Sequence, residues 1–237
     1  MPRYRALQAE LIVETARRLD AQLQERFSGS GLSRVSLEFL EIAEETGAKS
    51  ERLSRPLWGL RVSVAIVAGA ILLGPPSVLL WMGFPLELAS GGDAAQILDT
   101  ALNVLVLVGG AVLFLVTVEI RVQRRRIVRA VHELRVLAHV IDMHQLTKDP
   151  VRLMSEDSPT ASSPEEMLTP LELLRYLDYC SEMLAVLGKL AALYAQRVDD
   201  RVVLSAVDAV ESLTTGISRK IWQKMTIIHT LVPESIE

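Results

Sequence analysis

Four polar side chains recur along one face of a helical stretch in the second half of the chain: His132, Arg135, His139 and Asp142. At 3.6 residues per turn they form a stripe, with Arg124 in line below it. Ile127, Val131, Leu134, Leu137, Ala138 and Ile141 make an apolar face on one side, and Val136, Val140 and Met143 make a second. Glu133 and His144 fall elsewhere on the wheel. Two flanking apolar faces predict a helix packed between two neighbours, its polar groups in or beside a groove where they need partners.

Three chemistries fit such a stripe. The first is structural, with Arg135 and Asp142 pairing with Arg175, Tyr176, Asp178 or Glu182 of a later helix. The second is a binding site for an anionic cytosolic ligand or a partner motif. The third is a metal site, which the spacing disfavours. His132 and His139 are seven residues apart, about 10 Å along a helix axis, too far to share one ion. Only His139 and Asp142 could ligate together, and other helices would have to complete the set. A His and Asp stripe could also respond to pH near neutrality.

No catalytic motif accompanies the stripe, and no metal or cofactor is expected. Gly188-Lys189 lies inside an apolar seam, so it is not a phosphate-binding loop, and there is neither a nucleophile elbow nor a zinc-protease helix. Cys180, the single cysteine, falls on the same seam and reads as an inert core thiol. One cysteine excludes an intramolecular disulfide and argues against a Cys-based zinc site. The expected class is non-enzymatic.

The elements that position these residues include two long apolar stretches, 58–82 and 96–120. A bilayer core of roughly 30 Å needs about 20 helical residues, so each is long enough to cross. Trp58 and Trp81 fall near opposite interfaces. Arg52, Arg55 and Arg61 lead in, and Arg121, Arg124, Arg125, Arg126 and Arg129 follow, whereas the loop between contains Glu87 and Asp93 and no Lys or Arg. Basic flanks stay inside, so the pattern predicts a hairpin in a bacterial inner membrane with both termini cytoplasmic. The 57 largely polar residues ahead of the first stretch exclude a signal peptide reading.

Polar and special residues inside the stretches carry further expectations. Asp99 and Asn103 lie one turn apart on one face, Asp99 near the outer end and Asn103 deeper. Asp99 therefore reads first as interfacial and hydrated; intramembrane polar groups face a partner helix or an aqueous path, so the deeper Asn103, with Asp99, is either structural glue or a pore or ion site. Gly74-Pro75-Pro76 predicts a kink or break, read as a bent helix, a short interfacial segment or a hinge. Ala65-x-x-x-Gly69 offers a small face for helix contact.

The rest reads as helices. An N-terminal hairpin (1–57) pairs a helix to Phe27, with Ile12, Ala16, Leu19, Leu23 and Phe27 in phase, with a second from Leu32 to Thr46 bearing Val35, Phe39, Ile42 and Ala43. Ser28-Gly29-Ser30-Gly31 is the turn, and Gly47 is placed to end the second helix. The hairpin has too little core to stand alone and must pack on the C-terminal part or another subunit.

After the second span, 121–147 continues it as helix, and 148–168 turns to Ser, Pro, Glu and Asp, a flexible linker. Thr169-Pro170-Leu171-Glu172 is a capping box that opens a C-terminal hairpin over 169–231, followed by a tail over 232–237. Its first helix carries Leu173, Leu177, Cys180, Leu184, Leu187, Ala191 and Tyr194 at heptad-like spacing. Its second, started by Asp199-Asp200, carries Val203, Val207, Val210, Thr214, Ile217, Ile221 and Ile228, with Gly216 a point of close helix approach. The fold class is an all-α membrane protein: a two-helix transmembrane hairpin plus a cytoplasmic helical bundle.

The stretch from His132-Glu133-Leu134-Arg135 through Asp142-Met143-His144-Gln145-Leu146 to Asp149-Pro150 resembles a segment of uncharacterised bacterial two-transmembrane proteins. Thr214-Thr215-Gly216-Ile217-Ser218-Arg219-Lys220-Ile221-Trp222 is similar to another such segment. The resemblance covers the C-terminal half and implies no activity. In topology alone the chain is similar to the two-transmembrane effectors of bacterial nucleotide-triggered conflict systems, which are proposed to perforate membranes. Net charge is −4 and the arginines cluster at the apolar stretches, so lipid rather than nucleic acid is the expected partner. The expected function is oligomerisation or the binding of a cytoplasmic protein by the bundle, with a homo-oligomeric pore as the alternative.

Overall fold

The apolar periods resolve into six helices, with no strand among the described residues: α1 (Ala9–Arg26), α2 (Gly31–Leu53), α3 (Trp58–Trp81), α4 (Gly91–Leu146), α5 (Pro170–Ala195) and α6 (Arg201–Leu231). The computed structural model describes residues 6–53, 58–81, 91–150, 168–196 and 198–231. The expected linker therefore lies almost wholly outside the described residues, as does the tail. Contacts divide the chain into two units, Met1–Ser54 with Arg126–Glu237, and Arg55–Arg125.

The larger unit is built on one apolar core. All seven positions of the α5 seam are buried, as are Val203, Val207, Val210, Thr214, Ile217, Ile221 and Ile228 of α6. The expected capping box opens α5: the Thr169 hydroxyl accepts from the Glu172 N–H at 3.3 Å, and the Thr169 N–H donates to Glu172 Oε2 at 2.8 Å. Those bonds favour the ionised side chain, so they hold the Glu172 carboxyl below its ordinary value. Asp200 starts α6 by accepting from the Val202 and Val203 N–H groups at 2.9 and 3.2 Å. Ile12, Ala16, Leu19, Leu23 and Phe27 join Val35, Phe39 and Ala43 in the same core, so the N-terminal hairpin packs on the C-terminal part.

A polar cluster ties α1 to α2. The buried Asp20 accepts from Ser36 Oγ at 2.6 Å and from Gln24 Nε2 at 3.1 Å, and the Gln24 amide also reaches the Ser33 carbonyl at 2.7 Å.

Two glycine expectations are corrected here. α2 does not end at Gly47 but runs on to Leu53. A Cβ at Gly47 would lie 3.0 Å from Val13 Cγ2, so this glycine admits α1 rather than capping a helix. Gly216 is not a point of close approach, since a Cβ there would meet nothing within 4 Å. The near contact between α5 and α6 falls at Gly188, where a Cβ would lie 3.4 Å from Thr214 Oγ1. Of the turn glycines only Gly29 takes a left-handed backbone, at φ 75°, while Gly31 already belongs to α2.

The smaller unit contains α3 and the first part of α4. Val67, Ala68 and Ile71 meet Val108, Ala111, Val112 and Leu115 around a gap of about 10 Å³. The small face expected at Ala65 and Gly69 is not the contact: Ala65 is exposed and a Cβ at Gly69 would meet nothing within 4 Å. α3 also continues through Gly74-Pro75-Pro76 instead of breaking there. Where water is excluded, opening the backbone costs more than the two missing donors, which favours continuation.

Among the described residues one helix, α4, is long and apolar enough to cross a membrane; its most apolar window has mean hydropathy 2.3 and is 11% buried. The sequence reading expected two such helices, and the structure establishes this one. α4 starts at Gly91, five residues before the expected 96, and runs to Leu146 without interruption.

Candidate functional site

The helix rule that put His132, Arg135, His139 and Asp142 on one stripe also fixes what lies beside it. The face carrying Ile127, Val131, Leu134, Leu137, Ala138 and Ile141 is buried throughout. The opposite flank is not: Met143 is 67% and Val136 48% exposed, and Val140 is half-buried. The helix therefore packs on one side within its unit. The expected groove between two neighbours is absent among the described residues, because the period tells which faces are apolar and not how many partners cover them. His132, Arg135 and His139 are exposed, and Asp142 is half-buried.

Asp142 is drawn into a local network. Its Oδ1 accepts from Gln145 Nε2 at 2.6 Å, and the Gln145 side chain is itself buried. The expected pairing of Asp142 with α5 is replaced by this bond within α4. On α5, Arg175 instead faces Asp178 at 4.0 Å, at the limit of an ion pair.

The end of α4 carries a polar junction that local patterns in the sequence did not reveal. Lys224 of α6 donates to the carbonyls of Gln145 at 2.6 Å and Lys148 at 3.0 Å, at and just beyond the helix end, where the Gln145 carbonyl also accepts from the Lys148 N–H at 3.2 Å. A cation at a helix C-terminus also meets the negative end of its dipole. Burial pulls the Lys224 ammonium below its ordinary value, with Asp149 and Asp142 opposing the shift. Lys148 places its own ammonium 5.1 Å from the centre of the Tyr176 ring, a cation–π contact. Phe27 meets Tyr176 and Tyr179 edge-on, with ring centres 5.6 and 6.1 Å apart.

His144, placed off the stripe, lies against the start of α2: a Cβ at Gly31 would come within 3.0 Å of His144 Nε2. Its Nδ1 lies 3.0 Å from the Val140 carbonyl, which fits an N–H donor there.

Cys180 is fully buried, and desolvation pushes its thiol up to about 12 despite Lys224 and Lys148 nearby. The thiolate is therefore scarce at neutral pH, as an inert core cysteine requires.

Between α1 and α5 lies an open polar groove of about 510 Å³, lined by Gln22, Glu25, Arg26, Arg175, Asp178, Tyr179 and Glu182. Burial and the neighbouring Asp178 raise the Glu182 carboxyl, and Arg175 opposes them. Both signs of charge line it, so it has no single electrostatic preference. A groove between α1 and α5 has no local signature in the sequence, where Arg175, Asp178 and Glu182 suggest only partners for the stripe.

In the smaller unit, Asn103 Nδ2 donates to Asp99 Oδ2 at 3.3 Å, as their one-turn spacing implied, and both side chains are exposed. No group of three His, Cys, Asp or Glu side chains among the described residues is placed to hold a metal ion. No protein-family model, curated protein or solved structure matches the chain.

Proposed function

We propose that the chain is a non-enzymatic two-pass protein of a bacterial inner membrane, with both termini in the cytoplasm, whose larger helical unit oligomerises or binds a cytoplasmic protein. One observation carries the membrane part. The apolar section of α4 is 11% buried, whereas the core helix of a water-soluble domain is mostly covered. α3 packs beside it with Val62, Ile66 and Leu73 also exposed, which supports a second crossing. Arginines cluster before and at the start of α3 and after the apolar section of α4, and none lies between the two apolar stretches, which supports the orientation.

The partner-binding part draws on the α4 flank. Val136 and Met143 stand exposed beside His132, Arg135 and His139, an apolar strip edged by polar groups. Such surfaces mark interaction sites more often than isolated exposed residues do.

The test is alkaline extraction of membranes from cells producing the full chain, with reporters fused to each end. The expected result is an extraction-resistant protein with both ends cytoplasmic, and weaker insertion for Leu107→Arg, since an arginine near a span centre costs about 2.5–3.5 kcal/mol. Release of the unaltered protein into the soluble fraction sinks the reading. Crosslinking in cells addresses the partner: a chain recovered only as a monomer contradicts that part. A second reading, an ion-conducting oligomer, draws on the exposed Asp99 and Asn103 pair. It requires ion flux in liposomes that Asn103→Leu alters.

A further inference from the structure

The apolar section of α4 has two faces of different character. One carries Val108, Ala111, Val112 and Leu115, which meet α3. Positions two residues along a helix are about 200° apart, so Val106, Gly110 and Leu113 lie on the side away from α3. Read outward from there, Asp99, Asn103, Val106, Gly110, Leu113 and Thr117 alternate steps of four and three residues, and every one is exposed. Val106 and Leu113 are 73% and 70% exposed, and a Cβ at Gly110 would meet nothing within 4 Å.

This pattern is that of a helix-packing seam. Alternating steps of three and four average 3.5 residues, which keeps a stripe against one partner helix along its whole length. A surface turned to lipid has no reason to collect a deep Asn and a bare glycine on one line. Polar groups at membrane depth face protein or water, and a glycine lets two backbones come close.

The seam is also complementary to itself. The Asn103 amide has two N–H groups and a carbonyl, and one N–H is used by Asp99 of the same helix. The other N–H and the carbonyl match the same amide turned about a two-fold axis. Copies inserted with the same topology run parallel there, so Asn103 meets Asn103 at one depth. Gly110, seven residues on, meets Gly110 about two turns away.

We propose that this face of α4 is the seam on which α4 of a second copy of the chain packs, parallel and in register at Asn103 and Gly110. The proposal rests on the membrane reading above and names its partner and surface.

The experiment uses the full chain in native membranes, with single cysteines introduced at two seam positions (Val106→Cys, Leu113→Cys) and two exposed positions off it (Leu105→Cys, Leu73→Cys). Cys180 stays, since its buried thiol is unreactive, and the unaltered chain sets the background. Under mild oxidation the seam cysteines should give disulfide-linked dimers several-fold above the off-seam pair. Adding Asn103→Leu or Gly110→Leu should cut the Leu113→Cys dimer several-fold, and Asn103→Gln should retain most of it.

Equal dimer yield at all four positions overturns the proposal, as does none at the seam in a protein that resists alkaline extraction. So does ready labelling of the seam cysteines by a membrane-impermeant thiol reagent without dimer, which would make the face the wall of an aqueous path. Alkaline extraction, scored for every variant, separates the failures. An extractable parent chain defeats the membrane reading and the seam together, whereas a resistant chain without seam crosslinks defeats the seam alone.

Discussion

α5 and the apolar part of α4 are both helices rich in Leu, Val and Ala with residues in steps of three and four, yet the chain treats them in opposite ways. In α5 the seam from Leu173 to Tyr194 is closed by α1, α2 and α6, and its cysteine is sealed beyond reach of solvent. In α4 the line from Asn103 to Thr117 is open, and the apolar side chains around it, Leu102, Leu105 and Phe114 among them, are open as well. A seam closed within the chain yields a folding core. The open line, in a helix that is apolar on almost every side, is the surface that the proposed bilayer and the proposed second copy would cover. The larger unit buries its own apolar core, whereas the apolar side chains of the smaller unit are mostly exposed within the chain.

The widest separation between the two regions should appear on truncating a leucine in each. Leu187, fully buried in α5, should cost about 3 kcal/mol as Leu187→Ala, within the roughly 2–5 kcal/mol typical of a core leucine. Leu105→Ala, at an exposed position of α4, should change the stability of the larger unit by less than about 0.5 kcal/mol. Denaturant unfolding of the full chain in micelles, followed by the tyrosine signal in near-ultraviolet circular dichroism, reports this directly, because Tyr176, Tyr179 and Tyr194 all lie in that unit. Comparable losses from the two substitutions would show that the units do not differ in the way their burial implies.

A smaller effect is expected where α6 holds the end of α4. Lys224→Met removes two bonds from a charged donor, each with a net worth of at most about 1.5–3 kcal/mol. Lys224 is only half-buried, so solvent screening brings the expected loss down to about 1 kcal/mol. The pH dependence has a definite sign. Burial lowers the folded-state pKa of Lys224 below 10.5, so between the two values the unfolded chain binds more protons. Stability from this group is therefore least below the lowered pKa and rises with pH through that window. Denaturation midpoints for the parent chain minus those for Lys224→Met should increase toward pH 10.5. A difference that falls instead would mean the ammonium is favoured, not penalised, by its site.

What the sequence made legible divides along physical lines. Burial with a helical period is a local signal, so both seams of the C-terminal hairpin, the apolar face from Ile127 to Ile141 and the capping box at Thr169 could all be read from spacing. The one-turn bond between Asn103 and Asp99 is local too. Contacts across large separations left no such trace: Lys224 is 79 residues from the Gln145 carbonyl it binds. The stripe from His132 to Asp142 lay between the two cases. Its residues lie on the continuous helix α4, but its second apolar flank is open, since a period does not count neighbours. In α4 the open seam emerged only once the face taken by α3 was known.

Glycine offers the finest contrast, because its meaning depends wholly on what stands opposite. Gly216 lies within α6 with open space around a Cβ and no positive φ, so Gly216→Ala should stabilise the larger unit by about 0.5–1 kcal/mol through helix propensity alone. Gly47 lies within α2 and would enjoy the same gain, but its Cβ would press on Val13 Cγ2 at 3.0 Å. Val13 is buried and β-branched, so it has little freedom to turn away. Gly47→Ala should therefore show no gain or a net loss in the same unfolding measurement. Equal gains at both glycines would mean that α1 and α2 have room to separate. The close approach at Gly47 would then be incidental to the core rather than part of what holds the N-terminal hairpin together.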